Sequence, residues 1–564
     1  MNSYAKRIPL VGSAKPIKAG AQDLGPVAPD SVLTVIVSLR GKRPLPAPQA
    51  GQLAADREHL AGVYGADPQD MDRVEAFAAA HGLMVNERHA LTRHMKLTGR
   101  SVDMARAFGV DLRHYLHSDG SHRGHTGEVL IPEELAEVVT GVFGLDDRRV
   151  AHRGGKARAM GTAAAAQPST LTPPAIADGT ALTAPQLAQL YDFPPGDGRG
   201  QCIAILEFSG GYIPSDLQTY FTGLDLPLPT VVPISVDGAI NAPFDNGELS
   251  NAAAEVTMDI EVAGAVAPGA VLAVYFAPNN ESGWLAALNE VLSDTTHNPS
   301  VLSVSWGGLE YPDYPNCWSQ AFMDQANELL QIAAHLGITV CFATGDDGSR
   351  SNPPPNACPP YVPDTLHNFV QFPASSPYAL AVGGTVVRAS GGAMADEVVW
   401  FNYDGASAGG ISAYFPRPAW QAGCGVPDAV NPPPNTSLRV GRGVPDVAAH
   451  ACWYWGYLNG AWCGNFSGTS FATPLWAALI ARINQELGVR VGYLNQRLYD
   501  LGRRGGGDPV CRDIRTGGND PTNGLIGGFT AASGWDACTG WGSPRGNALL
   551  GALKQLLAAE PVPG

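Results

Sequence analysis

The sequence contains no run of about 20 apolar residues, so nothing in it reads as a membrane span. It has no cysteine before Cys202, and the nine from there on match no zinc-ligand spacing. An odd count leaves one thiol unpaired if the others join; Cys511 and Cys538 bracket one acidic loop and are expected to pair. Histidine thins out along the chain: nine of thirteen lie at or before His152, leaving His297, His335, His367 and His450. Positive charge thins out too. Residues 1–165 hold 21 Lys and Arg against 18 Asp and Glu, and the remainder holds 15 against 34. So acidic a body would repel phosphate, which argues against a nucleic-acid partner. No internal repeat is found. The N-terminus runs from Lys6-Arg7 into Ile8, Pro9 and Leu10 without an apolar core, so it is not a recognisable signal peptide. We still expect an exported protein, with no membrane partner.

A chain of 564 residues exceeds one ordinary domain. Residues 31–40 read as a β-branched strand. A helical pattern follows at 70–81, strand-like runs at 83–88 and 94–98, and a helix at 101–108. A hairpin at 118–127 and a helix at 132–142 complete an α+β unit of ferredoxin-like kind. From 151 to 183 a stretch rich in Ala, Thr and Pro reads as an exposed, cleavable linker. Beyond it, apolar strands at 202–206, 271–276, 301–305 and 339–342 alternate with helices at 250–264, 283–292 and 322–336. That alternation predicts an α/β fold with a buried parallel sheet. Its active site belongs at the carboxyl ends of the strands. The domains are therefore 1–150, a linker at 151–183, and 184–564.

Ser470 stands in Ser467-Gly468-Thr469-Ser470-Phe471-Ala472-Thr473-Pro474, followed by the apolar helical pattern Leu475, Trp476, Ala478, Leu479. A serine that opens a helix has free N–H groups beside it that can stabilise an oxyanion. The segment looks like the nucleophile turn of a subtilisin-type protease, and such a serine needs a base. None of the four later histidines is followed by Gly-Thr, the context of a subtilisin's histidine. Glu255 and Asp259 are spaced i, i+4 on one face of a helical stretch. Their neighbours Ala252, Ala253, Val256, Val262 and Ala263 are apolar, so the pair reads as buried, where unpaired acids would be costly. Two close carboxyls tend to share a proton.

Together these segments resemble the sedolisins, or serine-carboxyl peptidases, over nearly the whole chain. The resemblance implies a subtilisin-like parallel-sheet catalytic domain preceded by an α+β ferredoxin-like pro-domain. Carried onto this sequence, it makes Ser470 the nucleophile, Glu255 the general base and Asp259 the acid that orients it. Asp346, in Ala343-Thr344-Gly345-Asp346-Asp347-Gly348-Ser349, becomes the oxyanion-hole acid. Glu207 and Trp306 become supporting members of the hydrogen-bond chain. Gly409-Gly410-Ile411-Ser412 and Arg442-Gly443-Val444-Pro445-Asp446-Val447 match as well. Asp347 departs from the small serine usual there; as an extra acid it would keep Asp346 protonated to higher pH if both faced the site.

An aspartate can donate to an oxyanion only when protonated, and a glutamate base works only when ionised. The two needs meet in acid, at about pH 3–5 by reference values. The resemblance also implies one structural Ca²⁺, held by the carboxylates of Asp513 and Asp536 and the carbonyls of Ile514, Ala532 and Gly534. It implies protein or peptide substrates, and a pro-segment that assists folding and inhibits until acid releases it. A catalytically silent relative that binds peptides would have the same fold but would usually have lost one of these residues. A Ser-His-Asp subtilisin would need the missing histidine.

Overall fold

The computed structural model describes residues 6–18, 20–52, 54–117, 120–153, 156–157, 181–250, 252–310, 318–350, 367–433, 436–505, 509–522, 524 and 526–559. No helix among them is long and apolar enough to cross a membrane.

The N-terminal unit is a four-stranded antiparallel sheet in the order Met84–His89, His94–Arg100, Val32–Leu39, Val139–Phe143. Helices Pro68–Ala80 and Ser101–Phe108 complete the βαββαβ path of a ferredoxin-like fold. In Val32–Leu39, Val35, Val37 and Leu39 pack with Met95, Leu97, Val74 and Phe77 in one core. Asp67 caps the first helix by accepting from Gln69 N at 2.8 Å, with Pro68 at the first turn. The hairpin expected at 118–127 forms a few residues earlier, as Arg113–His117 paired with Gly120–Gly124.

The helix expected at 132–142 is not there. A 3₁₀ turn, Glu133–Leu135, leads instead into the strand Val139–Phe143. Val138, Val139 and Val142 are stiff β-branched residues, and Gly141 would cost a helix about 1 kcal/mol. The exposed edge of Val32–Leu39 offers that segment a full ladder instead.

The larger unit is built on a mostly parallel sheet. Its spatial order is Thr230–Ser235, Val271–Phe276, Cys202–Glu207, Val301–Val304, Thr339–Ala343, Leu380–Ser390. Val447–His450 also pairs parallel with Leu380–Ser390, and Ala393–Val399 closes the edge antiparallel. Side chains alternate across the sheet. Ile203 and Ile205 face helices Ala253–Val266 and Thr469–Leu487, while Ala204 and Leu206 face Glu281–Ser293 and Gln320–His335. Both faces are covered, which explains the near-continuous apolar strands. The four expected strands fall within one residue of their sequence positions.

The seven described cysteines are free thiols, Cys511 and Cys538 among them. Their expected disulfide fails because they belong to different packed clusters. Cys511 joins the main core, whereas Cys538 packs with Val399, Ile514 and Ala531.

The two units meet over helices Glu281–Ser293 and Gln320–His335. Lys15 Nζ lies 2.7 Å from Glu281 Oε1, with both side chains under 10% exposed. Arg57 Nε donates to the Leu292 carbonyl at 2.8 Å, and Thr92 Oγ1 donates to Asn289 Oδ1. The chain then leaves the N-terminal unit through two short strands. His152–Arg153 pairs antiparallel with Trp306–Leu309, setting His152 opposite Gly307 and Arg153 opposite Trp306. Lys156–Ala157 pairs antiparallel with Ala461–Ser467, setting Lys156 opposite Ser467. Most of the linker expected at 151–183, residues 158–180, lies outside the described residues. At its far end Thr183 and Gln186 form a reciprocal capping box that starts helix Ala184–Leu190.

Candidate active site

Ser470 is the second residue of helix Thr469–Leu487, directly after Gly468, and is almost fully buried. The Thr469–Leu487 helix packs beside Ala253–Val266, a helix in which every residue is buried. Glu255 occupies the first turn of that second helix and Asp259 the next turn. Asp259 Oδ1 accepts from Ser305 Oγ at 2.9 Å, and the same hydroxyl lies 3.2 Å from the Ser470 carbonyl. Ser470 Oγ itself donates to the Ser305 carbonyl at 3.4 Å, a long bond. Glu207 ends strand Cys202–Glu207 and accepts from Trp306 Nε1 at 2.9 Å. Its carboxyl lies close enough to that of Asp259 for each to act on the other, and Glu207 Oε1 and Asp259 Oδ2 are buried without a hydrogen-bond partner.

Two hydrogen-bonded pairs, Trp306 with Glu207 and Ser305 with Asp259, thus sit side by side at the carboxyl ends of the parallel strands. Burial pushes the Glu207 and Asp259 carboxyls well above the ordinary carboxylate range, and the neighbouring charge of Glu255 pushes both the same way. Such an environment favours the protonated form of both carboxyls.

Asp346 reaches the nucleophile from another direction. Strand Thr339–Ala343 runs out through Thr344 and Gly345, whose φ of +107° suits glycine alone. A side chain there would also collide with the Gln371 amide. Asp346 Oδ1 accepts from Thr469 N at 2.8 Å and from Thr469 Oγ1 at 3.0 Å. With Oδ1 occupied by two donors, a proton on this carboxyl belongs on Oδ2. Asp347 is half-buried and bridges Ala406 through its backbone, while Asp346 is almost fully buried.

Of the six residues expected at this site, Glu207 bonds Trp306, Asp259 bonds Ser305 beside the Ser470 backbone, Asp346 bonds Thr469 next to Ser470, and Glu255 stands one turn before Asp259. Sequence reasoning missed Ser305 and Thr469, although both stand inside recognised motifs. It also missed Glu310, whose carboxyl burial pushes up to about 7. Glu310 accepts from Ser412 Oγ at 2.8 Å and from the amides of Ala413 and Tyr414, and so ties the Trp306–Leu309 strand to Gly410–Pro416. Its donors are 100 residues away in sequence, which leaves no local signal.

Buried acids have a consequence for stability. Glu207, Asp259, Glu261 and Glu310 are all raised by burial. Each holds its proton more tightly folded than unfolded, so these four lower stability as pH rises above about 4.3, against the buried His94 and His450, pushed down to about 3, which raise it up to about 6.5. For Glu310 that loss continues through about 7. Carboxylates held low against burial, such as Asp146 beside Arg148, titrate below this window. Thermal unfolding of the Ser470→Ala chain should show a higher midpoint at about pH 4.5 than at about pH 7.

Asp513 and Asp536, expected at the second site, are both tied to the turn at 532–534. Gly534 N donates to Asp513 Oδ2 at 3.1 Å, and Ala532 N donates to Asp536 Oδ2 at 3.1 Å. Asp536 Oδ1 takes the amides of Cys538 and Thr539, both at 2.9 Å. Arg515 Nε lies 2.7 Å from Asp513 Oδ2. Asp513 Oδ1 is buried and has no hydrogen-bond partner. An orphaned buried carboxylate oxygen fits a hard cation. Ile514 is buried in the same loop.

The chain matches the Subtilase family over residues 246–489 and the pro-kumamolisin activation domain over residues 46–148. It is 42% identical to kumamolisin of Bacillus sp. (strain MN-32), covering 97% of this chain and 96% of that protein. It is 29% identical to tripeptidyl-peptidase sed5 of Aspergillus fumigatus, covering 97% of each. Tripeptidyl-peptidase 1 of Homo sapiens is 32% identical over 53% of this chain and 51% of its own length. Among solved structures, Pseudomonas sedolisin, a serine-carboxyl proteinase, shares the fold at a TM-score of 0.56 and 24% identity. That match covers 67% of this chain and 99% of the sedolisin. The chain belongs to the sedolisin, or serine-carboxyl peptidase, family: it is a serine-type peptidase of subtilase fold carrying its own pro-domain.

Proposed function

We propose that this protein is an acid-active endopeptidase, made as a zymogen, that cleaves proteins through an acyl-enzyme on Ser470. The observation that carries the reading is the buried cluster of Glu207 and Asp259 carboxyls, bonded to Trp306 and Ser305, with the Ser305 hydroxyl reaching the Ser470 carbonyl. Ser470 Oγ attacks the scissile carbonyl carbon and its proton passes to Glu255. Asp259 orients Glu255. The developing oxyanion accepts a hydrogen bond from protonated Asp346. Glu255 then returns the proton to the leaving amine, and water hydrolyses the ester by the same route. The window closes in strong acid, where Glu255 is protonated, and toward neutrality, where Asp346 loses its proton. Export fits this reading, since a broad acid protease held silent by a pro-domain suits release into an acid medium.

The same reading narrows the processing site. His152–Arg153 lies on the strand that follows Ser305, and Lys156–Ala157 lies on the strand that leads to Ser470. In sequence only Gly154 and Gly155 separate them. The first cut accordingly falls between Arg153 and Lys156. Hydrolysis of a denatured protein from strong acid to mild alkali, with N-terminal sequencing of the trimmed product, tests both statements. Activity confined to acid and a new N-terminus at 154–156 are expected. An optimum near neutrality would remove Glu255 as the base, and inactivity at every pH would favour a silent peptide-binding relative.

One structural Ca²⁺ at Asp513 and Asp536, with the carbonyls of Ile514, Ala532 and Gly534, completes the proposal. It would neutralise Asp513 Oδ1 and pin the C-terminal loop. Saturation at a hundred times Kd stabilises by about 2.7 kcal/mol. Chelation should therefore lower the midpoint of thermal unfolding, and Asp513→Asn should make the protein indifferent to added Ca²⁺.

A further inference from the structure

A cluster in the N-terminal unit, remote from the active site in its role, has the chemistry of a metal site. Strands Met84–His89 and His94–Arg100 pair so that His89 stands directly opposite His94. The two rings stack with centroids 4.7 Å apart. Glu87 reaches the same place, with Oε2 3.3 Å from His89 Nε2. One ligand atom from each of Glu87, His89 and His94 lies within 4.8 Å of the other two.

The hydrogen bonds decide which nitrogen of His94 carries its proton. Thr92 Oγ1 spends its only proton on Asn289 Oδ1 and lies 3.0 Å from His94 Nδ1. Nδ1 must then be the donor to Thr92, which leaves the lone pair on Nε2. His94 is 4% exposed, and Nε2 is buried with no hydrogen-bond partner. A buried imidazole acceptor with nothing to accept is costly, unless a ligand completes it.

We propose that Glu87, His89 and His94 bind a divalent transition-metal ion of the Zn²⁺ class, with water in the fourth position. Two imidazoles and a carboxylate are a recognised three-ligand set for Zn²⁺. Thr92 and Asn289 serve as the outer partners that fix the His94 ring, as metal-binding histidines require. Lys96 does not oppose the cation on its own, because it is shared between Glu87 Oε1 at 3.1 Å and Asp237 Oδ1 at 2.7 Å. Both outer routes, Thr92 to Asn289 and Lys96 to Asp237, cross from the N-terminal unit to the larger one. The ion therefore braces the seam between pro-domain and enzyme.

The test uses the full-length Ser470→Ala chain, stripped of metal and saturated with Ca²⁺. Titration with ZnCl₂ by calorimetry should show one ion bound and a raised unfolding temperature. Thr92→Val, which removes only the outer partner, should weaken binding about 10–100-fold. His89→Ala, at a half-exposed position, should abolish that ion without unfolding the chain. His94→Ala should do the same, with circular dichroism reporting whether it folds. Co²⁺ in place of Zn²⁺ should give a spectrum of nitrogen and oxygen ligands. Binding unchanged in His89→Ala, a thiolate-to-cobalt band from the free cysteines, or no Zn²⁺ uptake at all would overturn the proposal.

Discussion

Ser470→Ala should lower kcat by about a million-fold and leave the chain untrimmed at its N-terminus. The size of the effect follows from covalent catalysis: without Oγ no acyl-enzyme forms, and what remains is binding and the oxyanion donors. Glu255→Gln should cost nearly as much, because it strands the same proton. The double variant should be no worse than either alone, since residues acting as one unit are not additive. Folding provides the control. Ser470 is small, and its Oγ makes one long bond to the Ser305 carbonyl, so Ser470→Ala should unfold within a degree or two of the parent. Comparing the rate of appearance of new N-termini in both proteins reads the outcome directly. Trimming that persists in Ser470→Ala at a constant rate would show that another group cuts the linker.

Asp346 supplies the second large effect, and its two substitutions separate its roles. Asp346→Ala removes both the acceptor for Thr469 and the donor to the oxyanion. It should lower kcat by about 10²–10³, or roughly 3–4 kcal/mol of transition-state stabilisation. Asp346→Asn keeps the geometry: the amide oxygen can accept from Thr469 N and Oγ1, and the amide nitrogen can donate where Oδ2 carried the proton. An amide does not titrate, so the loss of activity on going toward neutral pH should move upward in this variant. The acid limb, set by Glu255, should stay in place. A pH–rate profile of kcat/KM for the three proteins measures both limbs. If Asp346→Asn kept the parental neutral limb, the titrating donor would have to be another group.

Much of this site was legible because its members carry local motifs. Ser470 announces itself through the residues around it, and Glu255 and Asp259 through helical spacing on an apolar stretch. The parallel strands were legible for the same kind of reason, since burial on both faces leaves only apolar residues between turns. What escaped depends on distant partners. Residues 132–142 have the polarity of a helix, yet the vacant edge of Val32–Leu39 decides that they end as a strand. Ser305 looks like any strand-end serine until Asp259 and Ser470 are brought to its hydroxyl. Glu310 lies in an unremarkable loop until Ser412, Ala413 and Tyr414 converge on it. Cys511 and Cys538 bracket a loop in sequence, but they pack into different clusters.

If Ser470 makes the first cut, as proposed, the two strand pairings set the reaction order of activation. Target and nucleophile belong to one chain, and the backbone ladders to Trp306–Leu309 and Ala461–Ser467 already hold them together. Their encounter needs no diffusion, and its entropy was spent during folding. On the proposed reading, with Ser470 cutting between Arg153 and Lys156, the first cut should be unimolecular. Its half-time after a drop in pH should be the same in a dilute solution as in a concentrated one, whereas every later cut should slow on dilution. A secreted population would then switch on as a set of independent clocks, each started by acid and none waiting for a neighbour.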